Sequence, residues 1–300
     1  MTPKIIPASA AGLAGIATVR AMLAANPDDA DVSVADRRAR LAAFAAAAPP
    51  PPEPVHEDRC GGVRVLRVAP ASARGRIVYL HGGAYVLGSA DTHLRLAAAY
   101  ARASEAEVVA VDYRLAPEHP WPAALDDAVA VWRALADDTP TALLGESAGG
   151  GLALAVAIAL RDDGAATPCA LAVTSPWVDL TLTAASIDAR ADVELMLSRR
   201  GLALDADRYR GAIFADDPRV SPLFADLAGL PPTLIQVGSA EILYDDAVAL
   251  VKRLTAADVP VCLQQWQGMG HAWAAFGEAV PEAAASVADV GRVLRAALDA

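Results

Sequence analysis

Cysteine, lysine and long uncharged apolar runs are all scarce in this 300-residue sequence. The three cysteines, Cys60, Cys169 and Cys262, form no Cys-x-x-Cys pair, which disfavours a zinc site or a disulfide framework and fits a reducing cytoplasm. Lysine occurs only at Lys4 and Lys252, and the net charge is −11. Because no basic stripe is present to displace counterions from phosphates, the sequence excludes nucleic acid as a partner.

The apolar runs are also too short for a membrane span, which needs about 20 residues. The run at 5–19 carries no charge, and a signal peptide is the alternative reading there. That run holds mostly alanine and glycine, and residues 20–25 continue the same helical pattern. We therefore expect an ordinary helix, a cytoplasmic protein and no stable membrane insertion.

Four consecutive prolines at 49–52 separate two regions of different pattern. Before them, residues 9–25 and 33–48 have the periodicity of two alanine-rich helices. After them, short apolar runs alternate with helical stretches, which predicts a mostly parallel sheet flanked by helices. Residues 181–215 interrupt this alternation with a helix-like segment, and together with the two N-terminal helices they are a candidate lid.

Seven strands are predicted in the second region, because continuous apolar runs suit parallel strands that are buried on both faces. They cover 63–68, 76–80, 107–111, 141–145, 170–175, 233–237 and 261–266. Helical patterns separate them near 92–103, 122–136, 149–162, 243–256 and 280–299.

The clearest chemical signal is the stretch GESAG at 145–149, which follows a predicted strand and opens an apolar helix. A Gly-x-Ser-x-Gly stretch in this context is typical of a nucleophile elbow, in which small neighbours let a strained turn expose the hydroxyl of Ser147. The helix N-terminus also favours developing negative charge. The alternative is a glycine-rich turn with an incidental serine, which the flanking strand and helix disfavour.

A second glycine-rich loop, HGGA at 81–84, follows the predicted strand 76–80. An acyl-transfer enzyme needs backbone N–H donors that point to the developing oxyanion, and Gly83, Ala84 and Ala148 are the candidates. His81 lies two positions before the first of these donors, so we interpret it as a structural histidine.

A serine nucleophile needs a base, and the base needs an acid that orients it. His271 is the candidate base because it follows the last predicted strand within GMGH at 268–271. Glu241, Asp245 and Asp246 are all available after the preceding strand, and Glu241 lies nearest to its end. The order Ser147, Glu241, His271 is that of α/β-hydrolases.

Taken together, these motifs resemble the hormone-sensitive-lipase family of α/β-hydrolases, which includes many bacterial esterases. The matching stretches are HGGA at 81–84, DYRLAPE at 112–118, PWPAA at 120–124, GESAGG at 145–150, SPWVDL at 175–180 and GMGH at 268–271.

The resemblance implies an α/β-hydrolase fold with a mostly parallel eight-stranded sheet flanked by helices. A helical cap is implied too, built from residues 1–52 and from an insertion at about 181–215 within a catalytic domain at 53–300. It also implies a carboxylesterase that needs no metal or organic cofactor. Relatives often dimerise through the edge strand nearest the C-terminus, here about 261–266, so a homodimer through that strand is expected.

The acid of that family begins a D-x-L-x-D-like stretch, and EILYD at 241–245 fits it with glutamate in the first place. This register supports Glu241 over Asp245. The loop at 81–84 departs from the family's usual HGGG, and a positive φ at Ala84 would cost about 1 kcal/mol or more of strain.

Trp273, Met196 and Phe214 are candidates for the substrate pocket, although Trp273 is as well suited to the core and the other two to a lid. The expected substrates are small, short-to-medium acyl esters. An amidase or lactonase on the same site is the first alternative. A hydrolase fold that binds a small ligand without catalysis is the second, which the complete Ser-Glu-His set disfavours.

Overall fold

The computed structural model describes residues 3–24 and 31–300, in which nine strands form one sheet. The strands are β1 (Lys4–Ile6), β2 (Val55–Cys60), β3 (Val63–Val68), β4 (Arg76–Leu80), β5 (Glu107–Val111), β6 (Thr141–Glu146), β7 (Leu171–Thr174), β8 (Thr233–Gly238) and β9 (Val261–Trp266). Their order across the sheet is β1-β9-β8-β7-β6-β4-β5-β3-β2. Only the β2–β3 and β3–β5 pairs are antiparallel.

The helices of the described residues include nine α-helices. They are α1 (Ala10–Ala24), α2 (Val34–Ala46), α3 (Leu94–Ser104), α4 (Ala123–Ala134), α5 (Ala148–Asp162), α6 (Ser186–Ala189), α7 (Arg199–Arg210), α8 (Tyr244–Ala256) and α9 (Pro281–Leu298). The predicted helix 9–25 ends at a residue that lies outside the described ranges.

The two faces of the sheet bury alternate residues of each strand, as a period of two requires. On β4, Ile77 and Tyr79 pack in the cluster with α3 and α9, whereas Val78 and Leu80 pack in the cluster with α4, α5 and α8. Every residue of β4, β6 after Thr141, β7 and β8 is buried. These strands, which are buried on both faces, are among those that the continuous apolar runs predict.

The α/β-hydrolase fold and all seven predicted strands are confirmed, but the sheet has nine strands and not eight. Strand β2 was missed because its sequence, VHEDRC, is mostly exposed at the sheet edge and carries charged side chains there. Strand β1 was missed because it has three residues, which no periodicity can identify.

Strand β1 also corrects the predicted dimer contact. It pairs in parallel with β9, with Lys4 opposite Gln264 and Ile6 opposite Trp266. The strand at 261–266 therefore lies between two neighbours and is not the edge of the sheet, so the expectation of a homodimer through its open edge is wrong. β1 itself now occupies that edge.

The segment at 181–215 packs on the N-terminal helices. Arg37 of α2 makes two hydrogen bonds of 2.9 and 2.8 Å to the carboxylate of Asp205 on α7, and both side chains are buried. Arg38 of α2 bonds both carboxylate oxygens of Glu118 and the carbonyl oxygen of Val86, close to the HGGA loop. Helices α2 and α7 thus cover the side of the molecule where the predicted catalytic loops lie.

Across the residues with described positions, no helix is both long and apolar enough to cross a bilayer.

Candidate active site

Ser147 occupies the turn between β6 and α5, with φ 54° and ψ −122°. A side chain on either flanking glycine would collide with backbone. A methyl group on Gly145 would lie 2.1 Å from the carbonyl oxygen of Gly149, and one on Gly149 would lie 2.1 Å from that of Leu80. The two glycines therefore allow the tight approach that holds the serine in a positive-φ conformation, which L-residues rarely adopt.

His271 and Glu241 complete a hydrogen-bonded line with this serine. The distance from His271 Nε2 to Ser147 Oγ is 3.0 Å, and that from His271 Nδ1 to Glu241 Oε2 is 2.8 Å. A ring that donates from Nδ1 to the carboxylate keeps a lone pair on Nε2, which accepts the serine hydroxyl proton. All three side chains are buried.

Glu241 is held by more than the histidine. Its Oε1 accepts hydrogen bonds from the hydroxyl of Ser175 at 3.0 Å and from the backbone N–H of Gly238 at 2.5 Å. These bonds leave Oε2 directed at His271.

The two other candidate acids are engaged elsewhere. Asp245 accepts the backbone N–H of Ser186 at 2.8 Å, at the start of α6. Asp246 accepts the N–H groups of Val178 and Asp179, both at 3.1 Å, and burial raises its pKa to about 8. The structure thus brings Glu241, and neither of these aspartates, to His271.

Opposing effects act on the pKa of His271. Burial lowers it, but the hydrogen bond and charge of Glu241, followed by the charges of Glu194 and Glu146, act in the opposite direction, and the net shift is upward from 6.5. The site therefore stabilises the imidazolium that a general base becomes when it takes a proton.

At the end of the HGGA loop the chain bends through three successive residues with positive φ, Gly83 at 119°, Ala84 at 54° and Tyr85 at 62°. A methyl group on Gly83 would lie 2.3 Å from the carbonyl oxygen of Leu87, so glycine is required there. Ala84 does adopt the left-handed conformation, with the strain of about 1 kcal/mol or more that it entails. Among the described residues, the N–H groups of Gly83, Ala84 and Ala148 donate to no acceptor.

Comparison with known proteins agrees with this geometry. A profile of the α/β-hydrolase fold matches residues 77–275. The chain is 43% identical over 235 residues to an acetyl-hydrolase of Streptomyces hygroscopicus, covering 77% of this chain and 79% of that protein. It is 40% identical over 238 residues to an esterase of Acinetobacter venetianus, covering 77% and 78%. The crystal structure of an esterase from the bacterial hormone-sensitive-lipase family superimposes with a TM-score of 0.91 at 36% identity, covering 97% of this chain and 99% of that one.

The chain belongs to the hormone-sensitive-lipase family of α/β-hydrolases. The resemblance predicted from its motifs is confirmed, and the protein is an esterase of the serine hydrolase class.

His81 of the esterase ties the HGGA loop to the sheet. Its Nδ1 bonds the carbonyl oxygen of Gly82 at 2.7 Å, and the hydroxyl of Tyr113 bonds its backbone oxygen at 2.6 Å. The ring stacks on Tyr113, with centroids 4.2 Å apart. Burial lowers the pKa of His81 to about 4, so the ring is neutral at physiological pH. This placement fits the structural role expected of it.

Glu146 lies beneath the same loop. A methyl group on Gly82 would approach its Oε1 to 2.8 Å, so the carboxylate fills the space beside that glycine. Burial raises the pKa of Glu146, while His93 and His271 oppose the shift. The carboxylate therefore supports the loop from below.

The structure separates the three predicted pocket residues of the esterase. Trp273 is buried against Trp266, with ring centroids 5.8 Å apart, in a cluster that includes Ile16 of α1. It is thus a core residue, although it lies two positions from His271. Met196 and Phe214 are 43% and 79% exposed on the segment at 181–215 and stay candidates for contact with substrate.

Ser175 is a site residue to which the sequence assigned no role. It follows β7, the neighbour of β6 in the sheet, and its hydroxyl also accepts the N–H of Ala272 at 3.2 Å. The sequence could have indicated this role, because the carboxyl ends of adjacent parallel strands meet at the edge where Ser147 and Glu241 lie. The described residues contain no group of three or more His, Cys, Asp or Glu side chains placed to hold a metal ion.

Proposed function

We propose that this esterase hydrolyses small, short-to-medium acyl carboxylic esters through an acyl-enzyme intermediate, with Ser147 as nucleophile, His271 as general base and acid, and Glu241 as the acid that orients the imidazole. The continuous line from Ser147 Oγ through His271 to Glu241, with contacts of 3.0 and 2.8 Å, carries the proposal. Its two bonds have the geometry that activates a serine hydroxyl.

In the first half-reaction, Ser147 Oγ attacks the ester carbonyl carbon and its proton passes to His271 Nε2. The Nδ1 proton stays on the ring and faces Glu241, which stabilises the imidazolium. The carbonyl oxygen becomes an oxyanion and accepts hydrogen bonds from the N–H groups of Gly83, Ala84 and Ala148. Breaking of the bond to the alcohol oxygen then transfers the Nε2 proton to the departing alcohol.

In the second half-reaction, water replaces the alcohol. His271 takes a proton from the water as it attacks the acyl carbon, and the same N–H groups bind the second oxyanion. When the bond to Ser147 Oγ breaks, His271 returns the proton to the serine. The products are the carboxylic acid and the enzyme in its starting state.

Two observations support small substrates. Ser147 is 6% exposed, beneath a cap segment whose Tyr209 stacks on Tyr85 of the oxyanion loop at 3.7 Å between centroids. One similar protein is an acetyl-hydrolase. A short acyl chain demands the least room in such a covered site.

The test is hydrolysis of p-nitrophenyl esters from acetate to palmitate by the wild type and by Ser147→Ala. We expect a rate maximum at short or medium chains that is absent from the variant, with the variant folded as judged by circular dichroism. Retained hydrolysis in pure Ser147→Ala would refute the mechanism, and a maximum at palmitate would refute the substrate class.

Amide cleavage is tested with p-nitroacetanilide beside p-nitrophenyl acetate. Esters need less leaving-group activation than amides, so we expect the ester to react far faster. Comparable rates would instead identify an amidase on the same site.

A further inference from the structure

Glu194 is a buried carboxylate in the cap segment at 181–215, and the mechanism above does not use it. Its neighbours in the chain, Asp192, Val193 and Met196, are exposed, whereas Glu194 itself is 8% exposed. A charged side chain that turns inward from an exposed loop needs partners, because burial of an unpaired charge is costly.

The partners are three backbone N–H groups on two different segments. Oε1 of Glu194 accepts the N–H groups of Leu195 at 2.7 Å and Met196 at 3.0 Å. Oε2 accepts the N–H of Ile242 at 2.9 Å. Ile242 follows Glu241 directly, so the carboxylate joins the cap to the loop that carries the proposed triad acid.

The surrounding contacts reinforce this junction. The guanidinium of Arg190 lies 3.7 Å from the ring centroid of Tyr244 and donates a hydrogen bond to the carbonyl oxygen of Ser239. The side chain of Leu195 packs against Gly270, where a methyl group would lie 2.6 Å from it. Arg190 and Glu194 therefore contact the loop of the acid, and Leu195 contacts the residue before His271.

Helix α1 holds the backbone of the cap segment at residues 193 and 194. Arg20 donates hydrogen bonds to the carbonyl oxygens of Val193 at 2.6 Å and Glu194 at 3.4 Å. These bonds fix the backbone on both sides of the point where the Glu194 side chain turns inward.

Glu194 also acts on His271 by its charge. Burial lowers the pKa of His271, and the carboxylates that raise it are Glu241, Glu194 and Glu146, in that order. Each of the three comes from a different part of the fold. On the cap side, Arg20 and Arg190 are directed at backbone carbonyls and at an aromatic ring.

We propose that Glu194 is a positioning residue of the active site, through which the cap fixes the Glu241 loop and places a second negative charge near the His271 imidazole. The proposal rests on the proposed function, in which His271 is the general base. It assigns the cap a part in the chemical step in addition to covering the site.

A carboxylate is the group that these contacts require. Three donors converge on its two oxygens, and a carboxylate presents acceptors only. The amide of Glu194→Gln must turn an NH₂ group towards either Ile242 or the Leu195–Met196 pair, which places donor against donor. The same substitution removes the negative charge with little change in volume.

The test compares Glu194→Gln with Asp192→Asn, an exposed carboxylate two positions away whose loss changes the net charge equally. We expect Glu194→Gln to lower kcat on p-nitrophenyl acetate by about tenfold or more, with KM little changed. The acid limb of its kcat/KM profile moves to lower pH, because the loss of a nearby negative charge lowers the pKa of His271. We expect Asp192→Asn to leave kcat and the acid limb unchanged.

Glu194→Asp provides the conservative variant. It keeps the charge but shortens the reach to Ile242, so we expect the acid limb to stay near its wild-type position while kcat recovers only in part. If Glu194 had only a structural role, Glu194→Gln and Glu194→Asp would both lower the amount of active enzyme, and neither would move the acid limb.

Active-site titration with a covalent serine reagent and the thermal midpoint separate loss of folded enzyme from loss of rate. ¹⁵N-histidine NMR of His271 reports its pKa without turnover. A wild-type acid limb and kcat in Glu194→Gln, or an equal shift in Asp192→Asn, would overturn the proposal. The proposed function stands in either case if Ser147→Ala is inactive, and it fails if that variant still turns over.

Discussion

The hydroxyl of Ser175 donates a 3.0 Å hydrogen bond to Glu241 and at the same time accepts the backbone N–H of Ala272, the residue after His271. A single side chain at the end of β7 thus links the loops that carry Glu241 and His271. The Ser175 side chain is completely buried.

Ser175→Ala is expected to lower kcat by about tenfold or more with KM nearly unchanged. A hydrogen bond to a charged group contributes about 1.5–3 kcal/mol, and each 1.4 kcal/mol lost in the transition state is about tenfold in rate. Ser221→Ala is the matched control, since its buried hydroxyl also makes two hydrogen bonds, which join it to the N–H of Leu180 and the carbonyl oxygen of Ala215. It should lose stability but keep kcat, and equal losses of kcat in both variants would contradict the role of Ser175.

Glu241→Gln is expected to lower kcat by about 10⁴-fold, because an amide no longer selects the imidazole tautomer that accepts from serine. Asp245→Asn should keep kcat near the wild-type value, since Asp245 bonds the start of α6. Steady-state kinetics on p-nitrophenyl acetate decide between them. A large loss in Asp245→Asn with little in Glu241→Gln would show that the acid is assigned to the wrong position.

Stability should fall as pH rises towards 8, because of Asp246. In the folded protein, burial raises the pKa of Asp246 from 3.8 to about 8, with smaller contributions from the charges of Asp179 and Asp245. The folded state therefore binds a proton that the unfolded state has lost between these two pH values, so this stabilisation is complete below pH 3.8 and disappears as pH rises through 8.

Asp246→Asn removes that titration and keeps an oxygen for the N–H groups of Val178 and Asp179. Urea unfolding of the two proteins should show a stability difference that grows in favour of the variant from pH 5 to pH 8. The exposed Asp192→Asn serves as the control and should follow the wild type. Parallel curves for Asp246→Asn and wild type would rule out a titrating Asp246.

Arg37→Met should destabilise the cap by about 3 kcal/mol, because removal of one partner leaves the buried carboxylate of Asp205 undercompensated. Arg208 also bonds Asp205, at 2.6 Å, and limits the loss. Replacing both partners, in Arg37→Met with Asp205→Leu, should recover much of the stability. Urea unfolding measures each step, and an additive loss in the double variant would argue against a buried pair.

The prediction from sequence succeeded where a structural element is specified by its own residues. Strand β7 is a buried apolar run, and such runs are read directly from the residues. Ser147 and His271 are predicted site residues because each follows a predicted strand at a glycine-rich turn. Because parallel strands bring their carboxyl ends to one edge, the order of motifs already implied that these side chains meet.

The prediction from sequence failed where a structural feature depends on a contact with a distant segment of the chain. Strand β1 exists only through its pairing with β9, and one of the three N–H groups that hold Glu194 comes from Ile242, on a distant loop. Trp273 shows a related limit, because an aromatic ring near a catalytic histidine serves a pocket and a core equally well until its neighbours are known. Here Trp266 and Ile16 decide for the core.

The pairing of β1 with β9 cannot form until β9 has been synthesised. Residues 4–6 leave the ribosome long before the strand that receives them, at 261–266, is made. Until then β1 has no partner, and α1, which begins four residues after β1, has no anchored neighbour on that side. Since Arg20 of α1 holds the Glu194 segment, we expect the esterase to acquire its complete active site only after residues 261–266 have been translated.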